Sequence, residues 1–162
     1  MNKDTFEARR ESLRRLMHEK GLAALLVSQP ANRFYLSGFE LHDCQCNESS
    51  GCLIIPADGK DWLCTDSRYE EAACQLWPAE RVFIYRGSSS EALNSLLKGL
   101  FRTQPIGVEA EHLSWGYIQR LEPGLTLEAA DGLVEKLRAV KDADVVCVAD
   151  SVTALTENSL TS

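Results

Sequence analysis

Asn32-Arg33-Phe34-Tyr35-Leu36-Ser37-Gly38-Phe39 follows the apolar run Ala23 to Val27, and Thr65-Asp66-Ser67-Arg68-Tyr69 follows the shorter run Trp62 to Cys64. Each is an aromatic-bearing stretch set directly after a strand-like segment, so each reads as a strand-to-helix junction of an α/β domain. In the first, Ser28 is placed to cap the helix and Pro30 suits its first turn. Gly38 suits the residue past its end, where positive φ is needed. In the second, the Asp66 carboxylate is placed to accept the free N–H groups of a first turn from which Arg68 and Tyr69 project.

Upstream, Asp4-Thr5-Phe6-Glu7 has the form of a capping box for a helix with Phe6, Leu13, Leu16 and Met17 on one face, ended by Gly21. The unbroken apolar run Ala23 to Val27 predicts a strand covered on both faces. Downstream, Cys52 to Ile55 and Trp62 to Cys64 are strands joined across Pro56-Ala57-Asp58-Gly59-Lys60. Its Asp-Gly step predicts a hairpin and hence a mixed sheet. A helix over 67–76 carries Tyr69, Ala72, Ala73 and Leu76, and Val82 to Tyr85 is the next strand. Ser88-Ser89-Ser90-Glu91 predicts a capping box for a helix with the stripe Leu93, Leu96, Leu97, Leu100 and Phe101. Ile106 and Val108 alternate as a strand, Ser114 starts a short helix bearing Trp115, Ile118 and Leu121, and Leu125 with Leu127 marks the last strand. Asp131 is placed to cap a helix with Leu133, Val134 and Leu137. Val145, Val148, Ala149, Val152 and Leu155 repeat at helical spacing with nothing after them to pack against. The expectation is one domain over 1–140, a boundary at Val140 to Asp142, and a linker and helix over 141–162 that begin a truncated second domain.

The 162 residues suffice for one domain with its own core. With 44% hydrophobic and 25% charged residues the composition is that of a soluble globular protein. A net charge of -7 argues against a nucleic-acid surface, which draws on clustered Lys and Arg. Arg9, Arg10, Arg14 and Arg15 do gather in the first helix, but Glu7, Glu11 and Glu19 interleave with them. That pattern predicts a solvated face with pairs such as Glu11 and Arg15. No apolar run approaches the roughly 20 residues that span a bilayer, and the N-terminus has no signal-peptide core, so a cytoplasmic location is expected. The six cysteines lack the regular pairing of a secreted scaffold, and most are expected to be thiols.

Candidate chemistry is sparse. Cys44, Cys46 and Cys52 with His42 offer soft ligands in one irregular stretch, but zinc sites bring ligand pairs from two separated clusters, so free thiols are the expectation. Cys64, Cys74 and Cys147 read as core residues. His42 and His112 have no triad partner at suitable positions, and Ser114 lacks the Gly-x-Ser-x-Gly elbow and reads as a cap. Asp66, Glu109 and Glu111 would serve a two-metal nuclease only if they converged on one spot. No G-x-G-x-x-G motif is present, which disfavours a nucleotide site. Around the first junction, Phe34 and Tyr35 are expected to pack the helix on the sheet, with Asn32 making a backbone bond near its start.

The leading helix, Leu25-Leu26-Val27, the Asn32 to Phe39 stretch, Leu53-Ile54-Ile55 and Thr65-Asp66-Ser67-Arg68-Tyr69 together resemble the N-terminal domain of the creatinase, prolidase and aminopeptidase P family. The likeness continues through Ile106-Gly107-Val108-Glu109 and Leu137-Arg138-Ala139-Val140-Lys141-Asp142. It implies a three-layer α/β sandwich, ribonuclease-H-like, with a mixed sheet of about six strands. It also implies a parent Xaa-Pro metallopeptidase whose two divalent ions (Mn, Co or Zn) and catalytic ligands lie beyond Lys141. This chain itself would then carry no catalytic residue, metal or cofactor. The partners implied are that catalytic domain, a second copy in a homo-oligomer such as a dimer, and a proline-containing peptide, with neither nucleic acid nor membrane. On the same resemblance, Phe39, His42 and the stretch through Ser50, with Asn32 and Tyr35, are candidates for restricting substrate access or contacting a subunit. Asp66, Arg68 and Tyr69 match an Asp-x-Arg-Tyr motif with an ion-paired scaffold role. The alternative is a free-standing small-ligand-binding or scaffold module. The sequence leaves open an aminopeptidase, dipeptidase, creatinase-like or inactive parent.

Overall fold

The computed structural model describes residues 3–40 and 51–140. Six strands form one sheet: β1 (Ala24–Val27), β2 (Gly51–Pro56), β3 (Trp62–Asp66), β4 (Val82–Tyr85), β5 (Pro105–Val108) and β6 (Thr126–Ala129). Their order is β4-β3-β2-β1-β5-β6. β2 runs antiparallel to both β1 and β3, whereas β4 is parallel to β3 and β5 is parallel to β1 and β6. The hairpin forecast from Asp58-Gly59 is therefore what makes the sheet mixed. The other five strands share one direction, so their carboxyl ends line one edge of the sheet.

Side chains alternate across that sheet. Leu25, Val27, Leu53, Ile55 and Leu63 pack with Leu13 and Met17 of α1 (Lys3–Lys20), Leu36 of α2 (Pro30–Ser37), Ala73 of α3 (Glu70–Leu76), and Leu133 and Val134 of α6 (Leu133–Ala139). On the opposite face Ala24, Leu26, Cys52, Ile54, Cys64, Ile106 and Val108 pack with Leu93, Leu97 and Phe101 of α4 (Ser89–Phe101) and Leu121 of α5 (Trp115–Leu121). Two helical layers thus cover one mixed sheet, the architecture expected from the sequence. The final helix expected beyond Asp142, with Cys147, lies outside the described residues, as do His42, Cys44 and Cys46.

Several local expectations change. The helix over 67–76 is a 3-10 turn (Ser67–Tyr69) followed by α3, with Asp66 capping the turn by accepting the Arg68 N–H at 2.8 Å. Ser88 holds the cap position of α4, but its hydroxyl meets Ser90 Oγ at 3.0 Å and caps no backbone N–H. Asp4 already lies inside α1. Trp115 is 72% exposed, because it occupies the first turn of α5 while Leu121 takes the buried position. Cys74 is exposed, not a core residue.

The arginines of α1 are the larger correction. Arg9 is buried, its guanidinium lies 4.1 Å from the Tyr35 ring centroid, and it donates to Tyr35 O at 2.9 Å. Arg10 donates to Leu36 O, stacks over Trp77 and pairs with Asp61 at 2.8 Å. Arg14 also pairs with Asp61 and donates to Pro56 O. Arg15 alone of the four stays exposed, and Glu11 meets Arg14 instead of it. Charge spacing along one helix could not reveal Asp61, which arrives from the far end of the β2–β3 hairpin. Burial pushes the Asp61 carboxyl up against the pull of both arginines and lowers Arg10, so desolvation outweighs pairing. The pair's main effect is to fix where α1 sits.

Two variants check these contacts by urea unfolding. Asp61→Asn removes the carboxylate that Arg10 and Arg14 share, leaving Arg14 only the exposed Glu11, and is expected to lose about 2–4 kcal/mol. Gly107→Ala would put a Cβ within 2.8 Å of Ala130 Cβ and 2.9 Å of Leu25 Cδ1, in a central strand with no room to yield. It is expected to lose about 1–3 kcal/mol.

Candidate functional site

β1 ends at Val27 and α2 begins at Pro30, so the first N–H groups of that junction need acceptors from elsewhere. Ser28 does not provide one. Gln29 is the cap residue and makes no side-chain cap bond. The acceptor is Glu109, the residue directly after β5. One carboxylate oxygen, Oε2, accepts from Ser28 N at 2.6 Å, Gln29 N at 2.6 Å and Ser28 Oγ at 3.2 Å. The other, Oε1, accepts from Asn32 Nδ2 at 2.6 Å. A side chain from the neighbouring parallel strand therefore caps α2, placing negative charge at the positive end of the helix.

Asn32 extends this contact to α6. Fully buried, it donates also to Glu135 Oε1 at 2.7 Å and accepts from Arg138 Nη1 at 2.9 Å. Arg138 reaches Gln29 Oε1 at 3.3 Å as well, and Tyr35 Oη donates to Leu137 O at 3.2 Å. Asn32 thus bonds side chains, in place of the backbone bond expected of it. Burial pushes the Glu109 carboxyl up, with Asn32, Gln29 and Ser28 pulling it down and Glu135 adding to the rise.

A groove of about 490 Å³ opens beside this network, lined by Gln29, Glu109, Glu111, His112, Asp131 and Glu135. It lies at the carboxyl ends of β1, β5 and β6, where open α/β sheets hold ligands. Asp131 does not cap α6, whose cap residue is Gly132 with φ 82°; it accepts the Glu111 N–H at 3.0 Å and lines the groove. The lining is acidic, with His112 its only nitrogen base among the described residues.

The remaining residues singled out in the sequence are dispersed. Phe39 is buried in the core beside α1, and Gly38 before it has φ 72° with its N–H bonded to Phe34 O, as a helix C-cap requires. Phe34, expected to pack α2 on the sheet, is instead 40% exposed, and Leu36 takes that place. Arg33 is buried and donates to Gly51 O at 2.6 Å, tying α2 to the start of β2. Asp66 and Arg68 form a two-point ion pair at 2.8 and 3.0 Å, and the Arg68 guanidinium holds the Asp66 carboxyl below the usual range. The Arg68 guanidinium lies 5.4 Å from the Tyr69 ring centroid. Asp66 ends β3, three strand positions from Glu109 and hence roughly 14 Å away at ordinary strand spacing. Asp66, Glu109 and Glu111 therefore do not converge as a nuclease would need. Cys52 sits on β2, buried, and among the described residues no group of three or more His, Cys, Asp or Glu side chains is arranged to hold a metal ion. Among the described residues, too, no helix is long and apolar enough to cross a membrane.

These features define a three-layer α/β domain whose first strand-to-helix junction is capped from the adjacent strand. The family model of the creatinase/prolidase N-terminal domain matches residues 9–140, and the chain belongs to that family. Among solved structures, it is 29% identical to the N-terminal domain of cytoplasmic peptidase PepQ from Mycobacterium tuberculosis, with a TM-score of 0.66 over 80% of this chain and 98% of that one. It is also 29% identical to an Xaa-Pro aminopeptidase from Streptococcus pyogenes, with a TM-score of 0.68 over 84% and 99%. The Xaa-Pro dipeptidase from Bacillus anthracis shares the fold at 22% identity and a TM-score of 0.70, and this chain spans only 37% of its length. No curated protein matches the sequence significantly.

Glu135 and Arg138 were not legible as site residues, since both read as the polar face of a helix. The available signal was Glu109 itself, a carboxylate placed immediately after an apolar strand. Replacing it with glutamine sets an amide N–H₂ against Asn32 Nδ2 or the two backbone donors. Glu109→Gln is expected to lose about 1–3 kcal/mol in urea unfolding at neutral pH. The sign of the pH dependence follows from the raised carboxyl. The protonation-linked part of its contribution is full below the ordinary glutamate value and is lost as pH rises through the raised folded value, while the hydrogen bonds accepted by the ionised group remain. Stability measured upward from that ordinary value should fall in the natural chain, and the Glu109 part of the fall should vanish in Glu109→Gln.

Proposed function

We propose that this chain is the non-catalytic N-terminal domain of an Xaa-Pro metallopeptidase of the aminopeptidase P or prolidase type. It helps build the oligomer and restricts substrate entry to an active site carried by a following domain. The observation that carries this reading is the family match over residues 9–140, together with similar structures described as the N-terminal domain of a cytoplasmic peptidase and as an Xaa-Pro aminopeptidase. The much greater length of the Bacillus anthracis dipeptidase supports a catalytic domain after residue 140. In this reading two divalent ions (Mn, Co or Zn) are bound by that domain, and the protein works in the cytoplasm. The domain contributes rigid positioning, which restricts access without supplying a reacting group. Phe39 is buried in the core and serves only as an anchor; the side chains proposed to shape entry or meet a second subunit are those of the sequence that follows it, His42 first among them. Asn32 and Tyr35 would support them by fixing α2 against α6.

The test is kinetic. A protein extended through the catalytic domain is expected to cleave Xaa-Pro peptides with added divalent metal, and residues 1–162 alone to cleave none. In the extended protein, His42→Ala should change KM or peptide-length preference several-fold with kcat largely retained. Cleavage by the 162-residue chain alone, or His42→Ala kinetics identical to the parent, contradicts the corresponding half of the proposal.

A further inference from the structure

Cys52 and Cys64 stand directly opposite each other on the antiparallel strands β2 and β3. Both are buried free thiols, 4% and 0% exposed, on the sheet face covered by α4 and α5. In an antiparallel ladder, opposed residues project from the same face with Cα atoms about 4.5 or 5.5 Å apart. Both spacings fall within the roughly 4.4–6.8 Å that a disulfide spans. The remaining described cysteine, Cys74, is exposed and has no such neighbour. Burial pushes the Cys64 thiol well up, and its neighbour Cys52 adds to the rise, in keeping with their facing positions on the two strands.

We propose that Cys52 and Cys64 are a redox-closable pair, joined on oxidation as a disulfide across β2 and β3 with the fold retained. A small disulfide such as glutathione disulfide is the oxidant. In a locally opened molecule, the Cys52 thiolate, from the less enclosed side chain, attacks one glutathione sulfur and releases a glutathione thiolate. The Cys64 thiolate then attacks the Cys52 sulfur of the mixed disulfide and releases the second. One protein S–S bond forms and one glutathione S–S bond breaks. The two protons end on two glutathione thiols, and the pair is oxidised by two electrons. In the reduced state, burial keeps the Cys64 thiol protonated and shields both sulfurs from reagent, so the pair is slow to react.

The location gives the closure a consequence. Cys52 follows Gly51, whose carbonyl anchors Arg33 of α2, and Cys64 lies two residues before the Asp66 cap. Closure would tie the Arg33 anchor to the Asp66–Arg68 turn through one covalent link and shorten the loop left free in the unfolded chain.

The experiment uses the 162-residue chain with Cys44, Cys46, Cys74 and Cys147 replaced by serine. It is equilibrated with glutathione disulfide, both folded and during refolding from urea. The expected result is an intact mass lower by two hydrogens, a linked Cys52–Cys64 peptide, and a Tm higher by roughly 5–10 °C than the reduced form. Cys64→Ala in the same background should yield no internal link. The linked peptide sought in the natural chain makes the test independent of the four replacements. Thiols that stay reduced or carry glutathione separately after refolding, or a closed bond that lowers Tm, would overturn the proposal.

Discussion

The structure depends on one carboxylate meeting donors that the start of a helix cannot satisfy by itself. α2 begins with Pro30, which brings no N–H, and the preceding residues Ser28 and Gln29 point theirs out of the end of β1. Glu109 accepts both from 81 and 80 residues further along the chain. Because β1 and β5 are parallel neighbours, a residue just past the end of one falls beside the junction after the other. Asn32 then passes the contact to Glu135 and Arg138, so a single buried amide ties the sheet edge to two helices. Such a network stabilises little in net terms, since burying the carboxyl costs much of what its bonds return. Removing a member leaves buried donors unmet, and that asymmetry makes it a determinant of arrangement.

The same logic governs the other side of α2. Arg9 and Arg10 of α1 donate to the carbonyls of Tyr35 and Leu36, the last turn of the helix, where cations are favoured. Arg14 and Arg10 share Asp61 from the hairpin, and Arg33 holds the start of β2. The short helix is therefore held at both ends by charges from distant segments. Propensity contributes little at that length, and tertiary contacts supply the rest.

What the sequence revealed follows from what is local. The six strands, the hairpin turn, the stripe of α4 except for the exposed Leu100, the Asp66 and Ser114 caps and the αL residue Gly38 were readable, because alternation, spacing and capping are set within a few neighbouring residues. Ser28 and Asp131 were misread as caps because local rules see only local acceptors: Glu109 displaces the first, and Gly132 takes the place of the second. The arginines of α1 were misread as solvated because their partners, Asp61 and the backbone of α2, come near only in the folded chain. The acidic groove combines side chains from three strand ends and α6, a combination that no spacing rule encodes.

The junction after β1 is the organising contact of a domain that belongs to the creatinase/prolidase N-terminal family. Native-state hydrogen exchange on Glu109→Ala tests the central claim most directly. If Glu109 holds the junction, the Ser28 and Gln29 amides and those of α2 and α6 should lose protection together, while α4 and the β2–β3 pairing keep theirs. Loss of protection spread evenly over the chain, or none at Ser28 and Gln29, would contradict it.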